Sequence, residues 1–274
     1  MSFLPDSFMV ADVIASPNHG ERARGRAPDM IVLHYTGMPD AKDALARLCS
    51  PDSKVSAHYF VFEDGRVVQM VPETRRAWHA GESVWLGETD INSCSIGIEI
   101  AHPGHDPDYP DFPQAQVAAV ASLCRGIIVR RDIPARRVLA HSDVAPGRKR
   151  DPGEKFPWAF LHRMGVGHWV PPLPIVEGPD LVKGDRGPVV GTLKSLFAEY
   201  GYGVTENDEF DGGMHDVVVA FQRHFRQERV DGVVDSSTLM TLRRLLDALP
   251  ESMVVQDRPE SPVDLTAEQS DPIA

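Results

Sequence analysis

Apolar and polar positions in the first 165 residues fall into short blocks that switch between strand-like and helix-like spacing. Met30 to Thr36 is apolar on both faces, which predicts a strand near the middle of a sheet. Residues 41–48, AKDALARL, place Ala44, Leu45 and Leu48 on one side of a helix. Ser56–Phe62 and Val67–Val71 read as two strands joined by Glu63-Asp64-Gly65-Arg66, a hairpin turn of the Asp-Gly type. Asn92–Ile100 predicts a fourth strand, with Ile96, Ile98 and Ile100 on one face and Gly97 and Glu99 on the other. Steps of three and four through Val117, Val120, Ala121, Cys124, Ile127 and Ile128 predict a long helix from Gln114 to about Arg131. Val138-Leu139-Ala140 is a further strand, and Phe156 to about Met164 a short closing helix. Prolines at 5, 17 and 28 break any period in residues 1–28, which are expected to be irregular; 76–81 and 102–113 read as loops.

Beyond residue 165 the pattern changes. Residues 166–180, VGHWVPPLPIVEGPD, hold four prolines and read as a semi-rigid linker. Three short amphipathic helices follow within 181–249. Their apolar faces are Val189, Leu193, Leu196 and Phe197, then Val217, Val218, Phe221 and Phe225, then Leu239, Leu242, Leu246 and Leu249. Asp235-Ser236 caps the third. Such a bundle stands near the lower size limit for an independent core. The expected architecture is therefore α/β: a mixed central sheet with flanking helices in domain 1–165, then a small three-helix bundle. The remainder, 250–274, carries six acidic residues against one arginine and is expected to be disordered.

Charge narrows the partners. The net charge is −12, five units of it in that tail, and the sequence pI is about 5.3. A nucleic-acid partner is disfavoured, because phosphate-backbone affinity rests on clustered Lys and Arg. Cys49, Cys94 and Cys124 form no CxxC pair and read as buried thiols in a reducing compartment. The N-terminus shows no basic stretch followed by a long apolar one, and no segment approaches a membrane span. These features together lead to the expectation of a cytoplasmic protein, with a periplasmic one as the alternative.

Candidate chemistry concentrates at the ends of the predicted strands. His34 closes the first. His141 follows the Val138–Ala140 strand and opens HSDVAPGRKRDPG, a Pro/Gly-punctuated loop carrying Lys149 and Asp151. Glu99 interrupts an otherwise apolar strand, where a carboxylate needs a partner or a solvent-filled cleft. Trp78 and His79 sit in RAWHAG, whose small residues permit close approach. Two imidazoles and a carboxylate make a three-ligand zinc set with one open position, leaving a second carboxylate to move a proton and a lysine to face an oxyanion. A closed structural metal site and a non-catalytic binding protein are the rival readings.

VLHYTG, SAHYFVFEDG, AWHAG, NSCSIGIEI and AHSDVAPGRKRDPG occur in that order over residues 30–153. In this the chain resembles the type-2 N-acetylmuramoyl-L-alanine amidases, zinc enzymes related to a phage lysozyme and to the peptidoglycan recognition proteins. The resemblance implies one zinc ion per chain on His34, His141 and Asp151. It implies Glu99 as general acid/base, Lys149 as oxyanion stabiliser, and Trp78, His79 and Asn92 in a substrate groove. Aspartate rather than cysteine at 151 resembles the bacterial recycling and cell-wall branch. The segment around Val182-Lys183-Gly184-Asp185-Arg186-Gly187 and Asp231-Gly232-Val233-Val234-Asp235 is similar to peptidoglycan-binding domains. The implied partner is peptidoglycan or a muropeptide fragment; the oligomeric state is left open.

Overall fold

The computed structural model describes residues 3–106 and 108–250. Its strands are β1 (Val10–Val13), β2 (His19–Glu21), β3 (Met30–Tyr35), β4 (Tyr59–Val61), β5 (Val67–Gln69), β6 (Arg75–Ala77), β7 (Ser95–Ile100) and β8 (Val138–Ala140). Its α-helices are α1 (Ala41–Leu48), α2 (Ile91–Cys94), α3 (Gln114–Arg131), α4 (His141–Val144), α5 (Trp158–Arg163), α6 (Pro188–Tyr200), α7 (Gly212–Phe225) and α8 (Ser236–Asp247). Met30 to Leu33 are wholly buried, as a run apolar on both faces requires. They place β3 inside a six-stranded sheet ordered β1-β5-β4-β7-β3-β8. β3 runs parallel to β7 and β8, and β4 runs parallel to β7 but antiparallel to β5, so the sheet is mixed.

The two faces of the sheet are covered differently, and that asymmetry positions the site. Ile31, Leu33, Ile96 and Ile98 pack with Val117, Val120, Cys124 and Ile127 of α3. On the opposite face, Phe60 and Val68 pack against Ala44, Leu45 and Leu48 of α1. Met30 and Val32, also on that face, share one core with Phe197, Tyr202, Phe221 and Leu242 of the C-terminal bundle. His34, two positions beyond Val32, therefore opens on the side covered by α1 and the bundle.

Several boundaries differ from the sequence reading. Residues 1–28 are not wholly irregular: β1 pairs in parallel with β5, and β2 pairs antiparallel with β6. These three- and four-residue strands exist through their partners, so local sequence carries little sign of them. Arg76 and Ala77, placed in a loop by sequence, belong to β6 for the same reason. The fourth predicted strand begins only at Ser95, because Ile91–Cys94 turn as α2. That turn is fixed from outside. The buried Arg22 guanidinium donates to the carbonyls of Glu73, Asn92, Ser93 and Ser95. In the bundle, Val189 faces solvent and Val190 takes its place inside, while Leu245 joins Leu242 in the core. The bundle is also less self-contained than its size suggested, since its core is continuous with that of the first domain. The linker lies along it: Ser237 Oγ donates to Leu173 O at 2.6 Å and Arg244 Nη1 to Pro171 O at 2.6 Å. Of the acidic segment 250–274, all but Pro250 lies outside the described residues.

His58 shows how acid should act on this fold. Its Nδ1 accepts from Gly97 N–H at 3.0 Å and its Nε2 donates to Arg75 O at 3.0 Å, which satisfies the neutral ring. Burial, then the nearby Arg22 charge, lowers its pKa to about 3. The unfolded chain takes up this proton near pH 6.5 and the folded chain only near 3, so stability falls as pH drops through that window. Thermal unfolding followed from pH 7 to 4 should show a steadily falling Tm. His58→Gln should flatten the slope, and an unchanged slope would contradict this origin.

Candidate metal centre

Three chain segments deliver the donors. Parallel pairing of β3 with β8 sets Leu33 against Ala140, so His34 and His141 leave adjacent strand ends together. The loop after α4 then returns, and Ser142 N–H donates to Asp151 O at 3.0 Å, which holds Asp151 beside the turn. His34, His141 and Asp151 are buried, and one ligand-type atom from each lies within 4.8 Å of the others.

The hydrogen bonds show which atoms face inward. Ser95 Oγ donates to Ile91 O at 2.5 Å and thus accepts from His79 Nε2 at 3.2 Å. His79 Nδ1 is then an acceptor, to which His34 Nε2–H donates at 3.1 Å. His141 Nε2 donates to Ala80 O at 3.0 Å. Both Nδ1 atoms are left as lone pairs, 2.9 Å apart, and they lie 3.1 and 2.9 Å from Asp151 Oδ2. Neutral rings leave no hydrogen to share among these three acceptors. A cation resolves the repulsion, and two imidazole nitrogens with a carboxylate oxygen suit a divalent transition ion. Burial, then the neighbouring His141, lowers the His34 pKa to about 4, so this ring stays neutral at physiological pH. Burial opposes ionisation of Asp151; positive charge beside it, as a proton on His141 or His34 or a cation between them, outweighs burial and holds the carboxyl well below its usual range.

Glu99 stands beside this set, its backbone paired with His34 across β7 and β3. Its Oε2 is buried and has no hydrogen-bond partner. Burial, reinforced by Asp151 and opposed by Lys149, pushes its pKa well above the ordinary carboxylate value. His34, His141, Asp151, Glu99 and Lys149 all open onto a cavity of about 610 Å³. Trp78 and His79 form part of its wall.

The expected groove residues thus separate by place. His79 lines the cavity and also backs His34. Asn92 lies behind the wall, where its Oδ1 accepts from the backbone N–H groups of His79 and Ala80 at 3.0 and 2.9 Å. Sequence reasoning did not single out Ser95, which ends the relay through His79, or the cations Arg47, Arg148 and Arg150 that also line the cavity. A signal for the relay existed in Gly97, a lone glycine inside a buried strand. An added Cβ there would lie 2.5 Å from His79 Cγ.

A parallel-centred sheet carrying a buried two-histidine, one-aspartate donor set, with a proton-binding glutamate at the same cavity, defines a metallohydrolase-like site. The family model for N-acetylmuramoyl-L-alanine amidase matches residues 24–154, and a peptidoglycan binding domain model matches residues 186–242. N-acetylmuramoyl-L-alanine amidase AmiD of Escherichia coli is 36% identical over 234 residues, 80% of this chain and 82% of the relative. The 1,6-anhydro-N-acetylmuramyl-L-alanine amidase AmpD of Enterobacter cloacae is 33% identical over 168 residues, 55% of this chain and 88% of that one. The solved complex of the Escherichia coli AmiD with anhydro-N-acetylmuramic acid-L-Ala-D-gamma-Glu-L-Lys superposes with a TM-score of 0.70 at 34% identity, covering 82% of this chain and 91% of that one. AmpDh3 of Pseudomonas aeruginosa, solved with anhydromuramic pentapeptide, gives a TM-score of 0.65 at 30% identity, covering 81% and 92%. The chain belongs to the N-acetylmuramoyl-L-alanine amidase family, with a peptidoglycan-binding module after its amidase domain.

Gly97→Ala should displace the His79 ring and release His34 Nε2. We expect metal affinity to fall about 10- to 100-fold, as for other partners that orient a ligating histidine, and stability to fall by about 1–3 kcal/mol. Chelator competition and thermal unfolding read the two effects separately. Unchanged metal affinity would show that the His79 contact does not orient His34.

Proposed function

We propose that this chain is a zinc amidase that hydrolyses the amide between the lactyl group of (anhydro-)N-acetylmuramic acid and the L-alanine of the stem peptide. The observation that carries the reading is the convergence of three acceptor atoms without a hydrogen beside the orphaned Oε2 of Glu99. Zinc held by His34, His141 and Asp151 would supply Lewis acidity, which polarises a carbonyl and acidifies water.

The protein's own groups account for the remaining chemistry. Glu99 takes a proton from the attacking water and returns it to the alanine nitrogen as the C–N bond breaks, leaving a lactyl carboxylate and a free amine. A carboxyl group with an elevated pKa suits both halves of that transfer. Lys149 has no ion-pair partner among the described residues, and its ammonium group is available to the oxyanion of the tetrahedral intermediate. Trp78 and His79 line the path of the substrate, and Asn92 braces the loop that carries them.

Charge supports an anionic substrate. Although the chain is net negative, Arg47, Arg148 and Lys149 line this one cavity, beside Arg150, which pairs with Asp106 at 2.7 Å. Stem peptides carry carboxylates, and a cationic rim draws them in and orients them. No helix among the described residues is long and apolar enough to cross a membrane. Burial raises the thiol pKa of half-buried Cys49 and of Cys94 to about 11 and of Cys124 to about 12, and three free thiols fit a reducing, cytoplasmic setting.

Metal analysis should find about one zinc ion per chain. Mass spectrometry should detect free stem peptide from a soluble anhydro-muropeptide, from purified sacculi, or from both, and the preferred substrate distinguishes recycling from wall turnover. Zinc binding without cleavage of either substrate would replace this reading with that of a binding protein. Glu99→Gln should keep zinc and lower kcat by about 10²- to 10⁴-fold. Near-normal turnover in that variant would remove Glu99 from the proton path.

A further inference from the structure

The bundle reaches the metal-binding turn directly. Asp143 lies two residues beyond His141 in α4, and its side chain is wholly buried. Oδ2 accepts from Ala140 N–H at 2.8 Å and from His224 Nδ1 at 2.6 Å. Oδ1 accepts from the Tyr202 hydroxyl at 2.7 Å. A carboxylate in such a place needs every donor it has. Only the first of these three comes from its own domain: Tyr202 follows α6, and His224 belongs to α7. The His224 ring is itself held, stacked between Trp158 and Phe225 with centroids 3.7 and 3.8 Å away.

The surrounding contacts leave the bundle little room to move. Leu86 N–H donates to Gly201 O, and Gln227 Nε2 to Phe156 O, each at 2.8 Å. Glycines stand where backbone and side chain meet across the boundary. A Cβ at Gly147 would lie 2.4 Å from Asp216 Oδ2, and one at Gly203 would lie 2.4 Å from Val84 Cγ1. A module that merely tethers its neighbour to a polymer has no need of these contacts.

We infer that Tyr202 and His224 are positioning residues of the metal site. Through Asp143 they fix the α4 turn, and the turn fixes the direction of His141 Nδ1, so the peptidoglycan-binding module is a structural part of the catalytic unit. This inference rests on the metal reading of His34, His141 and Asp151.

The test uses the full chain with Tyr202→Phe, which removes one hydroxyl, and with Tyr202→Phe/His224→Asn together. Zinc affinity is measured by chelator competition, beside thermal unfolding and turnover. Leu242→Ala, buried in the bundle core, loosens the module without touching Asp143. The double variant should bind zinc at least about 10-fold more weakly, and excess zinc should restore much of its turnover. Leu242→Ala should lower Tm and keep the parent affinity. Equal zinc affinity in the double variant and the parent overturns the inference, as does an equal loss in Leu242→Ala. A parent chain that takes up no zinc would instead undo the metal reading itself.

Discussion

Two imidazole lone pairs and a carboxylate oxygen face one another across about 3 Å, and that repulsion is the constraint around which the amidase domain is built. Nothing in the unfolded chain would keep these groups together. The sheet does so by placing β3 and β8 side by side, which aligns His34 and His141. The Pro/Gly loop does so by returning Asp151 against Ser142. The outer nitrogens of both rings are then given acceptors, His79 for one and the Ala80 carbonyl for the other. Each imidazole is thereby held in the tautomer that aims a lone pair inward.

The same placement sets the electrostatics of Glu99. Burial and the nearby Asp151 both favour its protonated acid, and Lys149 opposes them. Two carboxyl groups at one cavity are driven in opposite directions, Asp151 towards the anion by positive charge placed among the three donors and Glu99 towards the acid by burial. One is suited to hold a cation and the other to carry a proton. The division of labour follows from environment, since the residue types alone differ by a single methylene.

The two domains do not divide cleanly into catalyst and anchor. One apolar core runs from Met30 and Val32 of the central strand to Phe221 and Leu242 of the bundle, and Asp143 takes two of its hydrogen bonds from across the boundary. A bundle near the size limit for an independent core gains stability by sharing its neighbour's. The α4 turn is tied to the bundle by the same contact.

Much of this was legible in the chain as written. Period and turn chemistry located β3, α1, α3, β8 and the three bundle helices, because long apolar runs and strongly amphipathic segments carry their own signal. Motif order pointed to His34, Glu99, His141, Lys149 and Asp151, and the fold brings all five to one cavity. Other features arose only in three dimensions. The edge strands β1, β2 and β6 form because partners are available. The α2 turn is held by Arg22, some seventy residues away in sequence. Asn92 proved to brace the wall of the cavity from behind. Val189 and Val190 could exchange places because a helix face is chosen by what packs on it. The seating of the bundle on Asp143 was likewise invisible, since short-range patterns report what a segment can bury and only packing decides against what. The sequence by itself determined which donors, strands and helices were present; the tertiary structure decided which lone pairs meet, because that depends on contacts between residues far apart along the chain.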